Sequence, residues 1–399
     1  MNRRDRRLSH ATETPRARRI REAQEREELL RARGIDPLTR RRGARSAAPR
    51  PRRWKRNLVL ILVILLLSGC TGGWLLWQRV SAFNDEVSSA GSLSSALFFP
   101  LLGSDRVNVA MYGYGGPEHE GGTYLADSIM ILSIDPKTDT TTMIPIPRDL
   151  WVQGLPEIPD NAKINEAFAD GYVRGGVYQA GRDATDVLAK ISGLPIEHWM
   201  ALDFTGFKAM VDSVGGVNID NPVAFGYTWS EGKFFAGNWD GGYFDAGPLS
   251  LDGTHALDYA RTRYTSVPAE SSDFARSVRQ QRVLVAIKGK LGGGGVASLG
   301  PGLAIMDALK GTTDGVPLMA TDLSAIDLYL LSGHLGADRR IELTEGVILE
   351  ATSNSIGQYI LVVIGRASES DYAPLQAYIQ AELARPLPTP VPSPSPSLP

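Results

Sequence analysis

The sequence predicts an α/β (α+β) fold, in which helices flank a central mixed β-sheet and one transmembrane helix precedes them. Strand-like and helix-like stretches alternate along residues 107–290 and are joined by glycine-rich loops, which is typical of helices packed on a sheet. Before this region, Leu58–Trp77 is a run of twenty residues without charge. A helix of that length spans roughly 30 Å, the thickness of a bilayer core.

The predicted strands are short apolar and β-branched runs, and the predicted helices repeat apolar residues at helical spacing. The strands are predicted at Val107–Met111, Ser128–Ile134, Thr140–Ile146 and Trp199–Phe204. The helices are predicted at Asn165–Asp170, Ala184–Ile191, Phe204–Val214 and Arg276–Lys290.

Composition divides the chain into five segments. They are a disordered basic arm (1–56), a transmembrane helix (57–78), a stalk (79–105), a folded domain (106–383) and a proline-rich disordered tail (384–399). The arm holds 20 Lys and Arg against 7 Asp and Glu. Because basic residues beside an apolar span stay in the cytoplasm, we expect a single-pass membrane protein with an extracytoplasmic domain.

Two other interpretations of the N-terminal region are weaker. The tetrapeptide LSGC, ending at Cys70, resembles a bacterial lipobox, but the arm before it is far longer than the first segment of a signal peptide. Cys70 is the one cysteine of the chain, so the folded domain has no disulfide. The arm lacks a helix-turn-helix pattern, and attraction to anionic lipids explains its charge without a nucleic-acid partner.

Arginine is concentrated near the end of the folded region, with five residues in 22 positions. They are Arg261, Arg263, Arg276, Arg279 and Arg282. So many guanidinium groups need anionic compensation, and their planar donors match phosphate oxygens. The pattern indicates a clamp for phosphate or pyrophosphate, and a surface network of ion pairs is the alternative.

Spacing predicts which of these side chains act together. Arg276, Arg279 and Gln280 would share one face of a helix, and Asp273, one turn earlier, would orient Arg276. On an extended strand, residues two apart lie on one side. Such a strand would present Arg261 together with Arg263.

A second group of polar residues lies where two predicted strands adjoin. Asp127 comes before one strand, and Arg148 and Asp149 follow the next. If these strands pair antiparallel, Asp127 and Arg148 come together. Carboxylates beside arginines suit an oxygen-liganded cation such as Mg²⁺, although a strand cap and a local ion pair are the simpler interpretation of each residue alone.

Other enzyme classes find little support in the sequence. The five histidines lack zinc-type spacing, and the loop GYGGPEHEGG fits neither the dinucleotide nor the P-loop fingerprint. A G-x-S-x-G element, which would suggest a serine hydrolase, is not present.

Six segments together resemble the LytR-CpsA-Psr family of bacterial envelope proteins. In chain order they read DSIMILSIDPKT, IPRDLWV, KINEAFADG, FTGFKAMVDSVGGVNID, LDGTHALDYARTRY and SDFARSVRQQRVL. The resemblance implies a phosphotransferase that moves a glycopolymer from a polyprenyl-pyrophosphate carrier to peptidoglycan through a phosphodiester bond. It also implies Mg²⁺, or Mn²⁺, and an apolar lipid groove that Phe204–Val214 would line.

The resemblance also implies roles for individual residues. Asp127 and Asp149 would bind the metal ion. Asp273 would orient an arginine or activate the acceptor hydroxyl. The residues implied in catalysis are Asp273, Arg148, Arg261 and Arg263. The residues implied in pyrophosphate binding are Arg148, Arg261, Arg263, Arg276, Arg279, Gln280, Lys163 and Asn165.

The chain departs from the family pattern at one place. Many relatives carry an acidic residue after the first strand, in an LLGxD element, where this chain reads MYGYGGPEH. Metal binding would then rely on Asp127 with phosphate oxygens, or on Glu118 or His119. The same residues would also suit a polyprenyl-pyrophosphate phosphatase or an inactive wall-binding module. A further alternative is an envelope regulator of the "transcriptional attenuator" type, whose arginine-rich arm would touch DNA.

Overall fold

The computed structural model describes residues 14–34, 53–89, 106–119, 123–158, 161–229, 241–292, 299–335 and 338–387. Most of the predicted stalk, most of the predicted proline-rich tail and much of the predicted arm lie outside these residues. The chain divides into two compact units, residues 1–73 and residues 74–399.

The described helices and strands are numbered here in chain order. The helices are α1 Pro15–Ala32, α2 Arg53–Val87, α3 Glu166–Ser192, α4 Phe204–Ser213, α5 Gly253–Arg261, α6 Asp273–Leu291, α7 Leu299–Leu309, α8 Ala325–Ser332 and α9 Ala373–Ala384. The strands are β1 Val107–Tyr114, β2 Ala126–Asp135, β3 Thr140–Pro145, β4 Trp151–Val152, β5 Ala162–Lys163, β6 His198–Asp203, β7 Val217–Asn221, β8 Phe225–Thr228, β9 Gly242–Phe244, β10 Gly247–Leu251, β11 Tyr264–Thr265, β12 Thr312–Thr313, β13 Val316–Pro317, β14 Met319–Thr321, β15 Arg339–Arg340, β16 Leu349–Ser353 and β17 Tyr359–Val363.

The first unit contains a helix where the sequence predicts disorder. Helix α1 buries none of its residues, and ion pairs one turn apart, such as Arg18 with Glu22 at 3.1 Å, stabilise it. Among the described residues, Asn57–Val87 is the one helix long and apolar enough to cross a membrane. It matches the predicted transmembrane segment in position.

A six-stranded sheet organises the second unit, in the order β14-β6-β1-β2-β3-β15. Strand β2 pairs antiparallel with β1 and β3, and β14 pairs antiparallel with β6. The pairs β1–β6 and β3–β15 are parallel. With helices packed on this sheet, the predicted central mixed sheet flanked by helices is confirmed.

Apolar residues cover both faces of the sheet. On β2, Ile129 and Ile131 face one core together with α3 and α9, whereas Met130 and Leu132 face another core together with α8. Neighbouring residues of a strand point to opposite faces, so a strand covered on both sides is apolar almost throughout. This explains the run SIMILSI, from which the strand is recognisable.

Helix α3 joins two helices that the sequence predicts separately. It runs from Glu166 to Ser192 and is interrupted only by a kink at Gly175 and Gly176, where Gly176 has a φ of +75°. Left-handed backbone is readily available to glycine alone. The kink lets both halves of α3 pack along the same face of the sheet.

The beginning of the predicted stalk belongs to the folded unit. Helix α2 continues to Val87, and both Phe83 and Val87 are fully buried. The Oδ1 atom of buried Asn84 accepts a hydrogen bond of 2.8 Å from the backbone nitrogen of Ala325, at the start of α8. The last turns of α2 are therefore fixed to the second unit.

We expect Gly181→Ala to destabilise the second unit. A Cβ atom at Gly181 would lie 2.3 Å from the ring of Trp199, which is buried on β6 and cannot move aside. Overpacking of this kind costs about 1–3 kcal/mol in the free energy of unfolding, measured by denaturant titration. The control is Gly289→Ala in α6, where a Cβ meets nothing within 4 Å and a gain of about 0.5–1 kcal/mol is expected. Equal effects would contradict the close packing of α3 on β6.

Candidate active site

The antiparallel pairing of β2 and β3 brings the two upstream polar residues together, as predicted. Asp127 lies near the start of β2, and Arg148 follows the end of β3, so both are at the same edge of the sheet. A Nη1 nitrogen of Arg148 donates a hydrogen bond to Asp127 Oδ1. This ion pair is one corner of the candidate site.

The first turn of α6 supplies the second corner. Ser272 caps the helix by accepting a hydrogen bond of 3.1 Å from Ala275, and Asp273 follows in the first turn. Asp273 Oδ1 lies 3.2 Å from Arg276 Nη2, which confirms the contact predicted from their spacing. The same Nη2 donates to the backbone carbonyl of Asp127 at 3.3 Å. Arg276 therefore ties α6 to β2.

Four arginines converge on one cleft of about 230 Å³ at this edge of the sheet. The cleft is lined by Arg148, Arg261, Arg263, Arg276, Gln280, Asp127, Ser128, His119, Leu125, Phe204, Thr228, Trp229 and Tyr264. Asp127 is the one carboxylate among these lining residues, so the cleft has a large excess of positive charge. Such a surface suits a ligand with several negative charges.

Arg261 is the last residue of a helix and lines the cleft from there. The sequence predicts a strand at this position. Helix α5 continues to Arg261 because Asp252 caps its start and Tyr259 and Ala260 are buried. The Arg261 guanidinium lies over the rings of Phe204, at 4.0 Å, and Trp229, at 5.5 Å. Among the described residues it forms no ion pair.

Arg263 reaches the cleft from the segment between α5 and β11. Its Nη1 atom lies 4.0 Å from Asp273 Oδ1, and its guanidinium lies over the ring of Tyr264 at 5.5 Å. Although the predicted strand is absent at Arg261, both arginines of the ARTR segment face the cleft.

Burial and the neighbouring charges set the pKa values of these arginines. Burial alone would lower the pKa of Arg148, but Asp127, Asp149 and Asp273 together raise it. Burial lowers the pKa of Arg276 to about 10, against the opposing effect of Asp273. Arg276 therefore remains charged at neutral pH while it is shielded from water, which strengthens its attraction for an anion.

An apolar cavity of about 150 Å³ adjoins the cleft, and we call it the inner cavity. The residues that line both are Ser128, Phe204, Arg261 and Gln280. Helix α4 supplies Phe207 and Met210 to its wall, and α6 supplies Leu284. The charged cleft thus opens into an apolar space, lined in part by the Phe204–Val214 segment.

Comparison with known proteins identifies the family. The LytR_cpsA_psr family model matches residues 80–322. The chain belongs to the LytR-CpsA-Psr family. It is 30% identical over 321 residues to a protein of Oceanobacillus iheyensis named polyisoprenyl-teichoic acid–peptidoglycan teichoic acid transferase TagU, an alignment that covers 78% of this chain and 90% of that protein. Bacillus subtilis TagV, a transferase named for the same reaction, is 28% identical over 238 residues, with 58% and 56% of the two chains covered.

Solved structures of similar fold support the architecture. The crystal structure of Bacillus subtilis TagV matches with a TM-score of 0.50 and 21% identity, over 70% of this chain and 96% of that one. A Streptococcus agalactiae protein matches with a TM-score of 0.51 and 20% identity, over 74% and 93%. The family fold therefore extends over most of the second unit.

Arg279 lies outside the cleft, contrary to the prediction that it shares the face of Arg276. Its side chain is fully buried, and its Nε donates to the carbonyl of Tyr259 at 3.0 Å. Its Nη1 donates to Glu270 Oε2 at 2.7 Å, and its Nη2 donates to the carbonyl of Thr262. Every nitrogen of the guanidinium is thus occupied. Arg279 therefore holds the segment that carries Arg263 and does not line the cleft.

The KIN segment and Asp149 lie behind the cleft, and none of them lines it. Asp149 Oδ1 accepts a hydrogen bond of 2.5 Å from Lys163 Nζ, and Asp149 Oδ2 lies 3.6 Å from Arg148 Nε. Burial would raise the pKa of Asp149, but Lys163 and Arg148 lower it. The backbone of Asn165 accepts from Ala126 at 3.2 Å and donates to Arg148 at 3.3 Å. These residues position Arg148 and β2.

The donor set at the cleft suits a cation only if phosphate supplies further ligands. No group of three Asp, Glu, His or Cys side chains gathers among the described residues. The described hydrogen bonds of the Asp127 carboxylate all use Oδ1, while both oxygens of Asp149 face cations. Glu118 accepts from Thr205 at 3.2 Å, and His119 lines the cleft. Because Mg²⁺ is often bound by one or two carboxylates plus substrate phosphates, Asp127 fits this role.

Three contributors to the site carry no signal in the local sequence. Arg340, on β15, donates to Ser277 Oγ and to Gln281 Oε1 at 3.2 Å, and so holds α6 from behind. Ser128 donates to Gln280 Oε1 at 3.0 Å. Asp203, at the end of β6, is buried and caps α4 by accepting from Gly206 at 2.6 Å.

Replacing Arg279 should unfold the site, whereas replacing Arg263 should not. Arg279→Ala would leave Glu270 and several backbone carbonyls without their donor, at a cost of about 3–5 kcal/mol. Arg263→Ala removes a partly exposed side chain whose Nη1 atom lies 4.0 Å from the carboxylate of Asp273. The expected loss in the free energy of unfolding is less than about 1 kcal/mol. Thermal unfolding of the two variants measures the difference. Equal loss of stability would contradict the supporting role given to Arg279.

The stability of the protein should depend on the ionisation of Asp203. Burial raises its pKa to about 6, so the folded state binds a proton that the unfolded state releases near pH 4. This contribution to stability is complete below the unfolded pKa and is lost as the pH rises through 6. The Asp203→Asn variant still caps the start of α4 but carries no group that ionises. At pH 7 we therefore expect its free energy of unfolding to exceed that of the parent by roughly 1–3 kcal/mol.

Urea titrations at pH 4 and pH 7 measure this effect. The two proteins should have similar free energies of unfolding at pH 4 and should differ at pH 7. A parallel pH dependence in parent and variant would show that Asp203 does not titrate in this range.

Proposed function

We propose that this chain is a membrane-anchored phosphotransferase, which attaches a glycopolymer from a polyprenyl-pyrophosphate carrier to peptidoglycan through a phosphodiester bond. The observation that carries the proposal is the junction of a four-arginine cleft with an apolar cavity. A carrier of this class has a pyrophosphate head and an isoprenoid tail, and the junction offers a complementary surface to each. The names of the TagU and TagV relatives support transfer to peptidoglycan.

In the proposed reaction, a peptidoglycan hydroxyl attacks the phosphorus atom that bears the glycopolymer. A new phosphorus–oxygen bond forms to the acceptor, the bond to the bridging oxygen breaks, and polyprenyl phosphate leaves. The arginines of the cleft bind the non-bridging oxygens and stabilise the charge on the leaving group. Asp273 orients Arg276 from behind the cleft. The proton of the acceptor hydroxyl passes to the solvent. A Mg²⁺ or Mn²⁺ ion held by Asp127 and phosphate oxygens would offset further negative charge.

The position of the protein follows from the same proposal. Helix α2 would anchor the chain in the cytoplasmic membrane, with the basic arm inside the cell and the cleft outside. The carrier and peptidoglycan, its two partners, would then be reached from the outer surface of that membrane. No nucleic-acid partner is proposed.

Arg261→Ala should reduce transfer by about 10²–10³-fold, because it removes one stabilising donor from the cleft. The full-length protein in detergent is incubated with a polyprenyl-pyrophosphoryl oligosaccharide, peptidoglycan fragments and Mg²⁺, and mass spectrometry detects the phosphodiester adduct. EDTA should also prevent its formation. The control is Arg182→Ala, an exposed arginine of α3 that donates to Gln179 and should leave the rate unchanged.

The products distinguish the alternatives. Free phosphorylated oligosaccharide without adduct would identify a phosphatase in place of a transferase. Carrier that remains bound without turnover would identify a binding module and contradict the proposed activity.

A further inference from the structure

The β16–β17 hairpin lies beside the Arg148 corner of the cleft, in the part of the chain that follows the residues matched by the family model. The backbone nitrogen of Leu361, on β17, donates a hydrogen bond of 2.9 Å to the carbonyl of Asp149. Tyr359 precedes Leu361 by two residues, so it lies roughly 7 Å along the strand from that bond. The hairpin is therefore fixed to the segment that carries Arg148.

Tyr359 remains partly exposed at this position. Residues 360–363 of β17 are buried, whereas Tyr359 is 48% exposed. Its hydroxyl donates a hydrogen bond of 3.4 Å to Glu345 Oε1. Partial burial and the charge of Glu345, together with Asp149 and Asp273, raise the pKa of Tyr359 to about 12. The phenol is therefore neutral beside the charged cleft, and part of its ring is open to a ligand.

A small pocket extends the cleft toward the hairpin. Its volume is about 20 Å³, which is enough for one group of the size of water, such as a hydroxyl. Arg148 and Arg276 line both the cleft and this pocket, and Glu342, in the segment that leads to the hairpin, lines the pocket as well. Arg261 and Phe204, which connect the cleft to the inner cavity, do not line it. The hairpin and the inner cavity therefore lie at different ends of the cleft.

The Arg148 end of the cleft is the side from which an acceptor would approach. In-line displacement at phosphorus places the attacking and leaving oxygens on opposite sides. In the proposed reaction the leaving polyprenyl phosphate belongs to the end with the inner cavity, so the acceptor hydroxyl belongs to the other end. Charge favours the same assignment, because residues 341–365 contain three glutamates and no Lys or Arg. Such a surface repels an anionic carrier and attracts a cation.

We propose that the hairpin binds the peptidoglycan acceptor, with a sugar ring stacked on Tyr359 and a free amino group of the peptide stem paired with Glu345. This inference rests on the proposed function and names the residues that select its acceptor. The tyrosine ring offers a sugar a flat apolar surface and a polar hydroxyl. The exposed carboxylate of Glu345 offers the ammonium group an ion pair at the side of the ring.

Direct binding tests the role of Tyr359 without requiring transfer. The full-length protein in detergent is titrated with a lysine-type muropeptide, whose stem has a free amino group. We expect Tyr359→Ala to weaken binding by about tenfold or more, because it removes an aromatic anchor. Tyr359→Phe keeps the ring and should bind within about twofold of the parent. The control is Tyr243→Ala on β9, since Tyr243 is 58% exposed and lines neither the cleft nor the inner cavity.

The role of Glu345 is tested with the same muropeptide after acetylation of its amino group. Glu345→Gln should weaken binding of the free-amine form by about two- to fivefold, as expected for an exposed ion pair, and should leave binding of the acetylated form unchanged. Glu350→Gln removes an equal charge from the opposite face of the hairpin, because Glu350 is three residues from Ser353, the partner of Tyr359. This control should change neither affinity.

The inference and the proposed function fail in different ways. If the parent does not bind the muropeptide, or if Tyr359→Ala binds it as the parent does, the hairpin is not the acceptor surface, whether or not the parent forms the phosphodiester adduct. An equal effect of Glu345→Gln on both muropeptides would overturn the contact with the amino group. If the parent forms no adduct, the proposed transfer is overturned, while weaker muropeptide binding by Tyr359→Ala still supports the hairpin. Where transfer occurs, Tyr359→Ala should raise KM for the muropeptide and leave carrier binding unchanged.

Discussion

The mutual repulsion of four arginines in one half-buried cleft is the constraint on which the site depends. Asp127 compensates Arg148, and Asp273 compensates Arg276. Arg261 lies against the faces of two aromatic rings, and Arg263 lies 4.0 Å from Asp273 and over the ring of Tyr264. Aromatic rings stabilise a cation without neutralising it. The cleft therefore keeps its positive charge while the protein is folded, and an anionic ligand can complete the compensation that the fold leaves incomplete.

Local spacing was enough to predict the parts of the site that lie within one element or between neighbouring strands. Apolar runs identify β1, β2, β3 and β6, and helical periodicity places Asp273 beside Arg276. The same reasoning fails for Arg279, because residue type and spacing do not show which side of a helix meets the core. Its neighbour Gln280 faces the cleft, although both follow Arg276 by about one turn.

Tertiary contacts between distant segments could not be predicted from the sequence. Arg340 supports α6 only because β15 joins the sheet beside β3. Nothing in the local sequence marks Asp203, and its raised pKa comes from burial at the end of β6. The continuation of α2 past the apolar span depends on Asn84 meeting the start of α8, more than two hundred residues away.

A ligand with a charged head and a long apolar tail needs two unlike environments in direct contact. A sheet edge supplies them here, since the ends of β2 and β3 carry polar residues while the adjoining helices α4 and α6 turn apolar side chains toward the inner cavity. Water would cover an exposed tail at a free-energy cost, so the proposed carrier requires apolar cover along its whole path to the membrane. The last turns of α2 add to the apolar surface of the second unit, since Phe83 and Val87 pack with Leu309 of α7 and Ala325 of α8. On this argument Phe83 and Val87 are buried within the second unit because exposure of such apolar side chains to water is unfavourable.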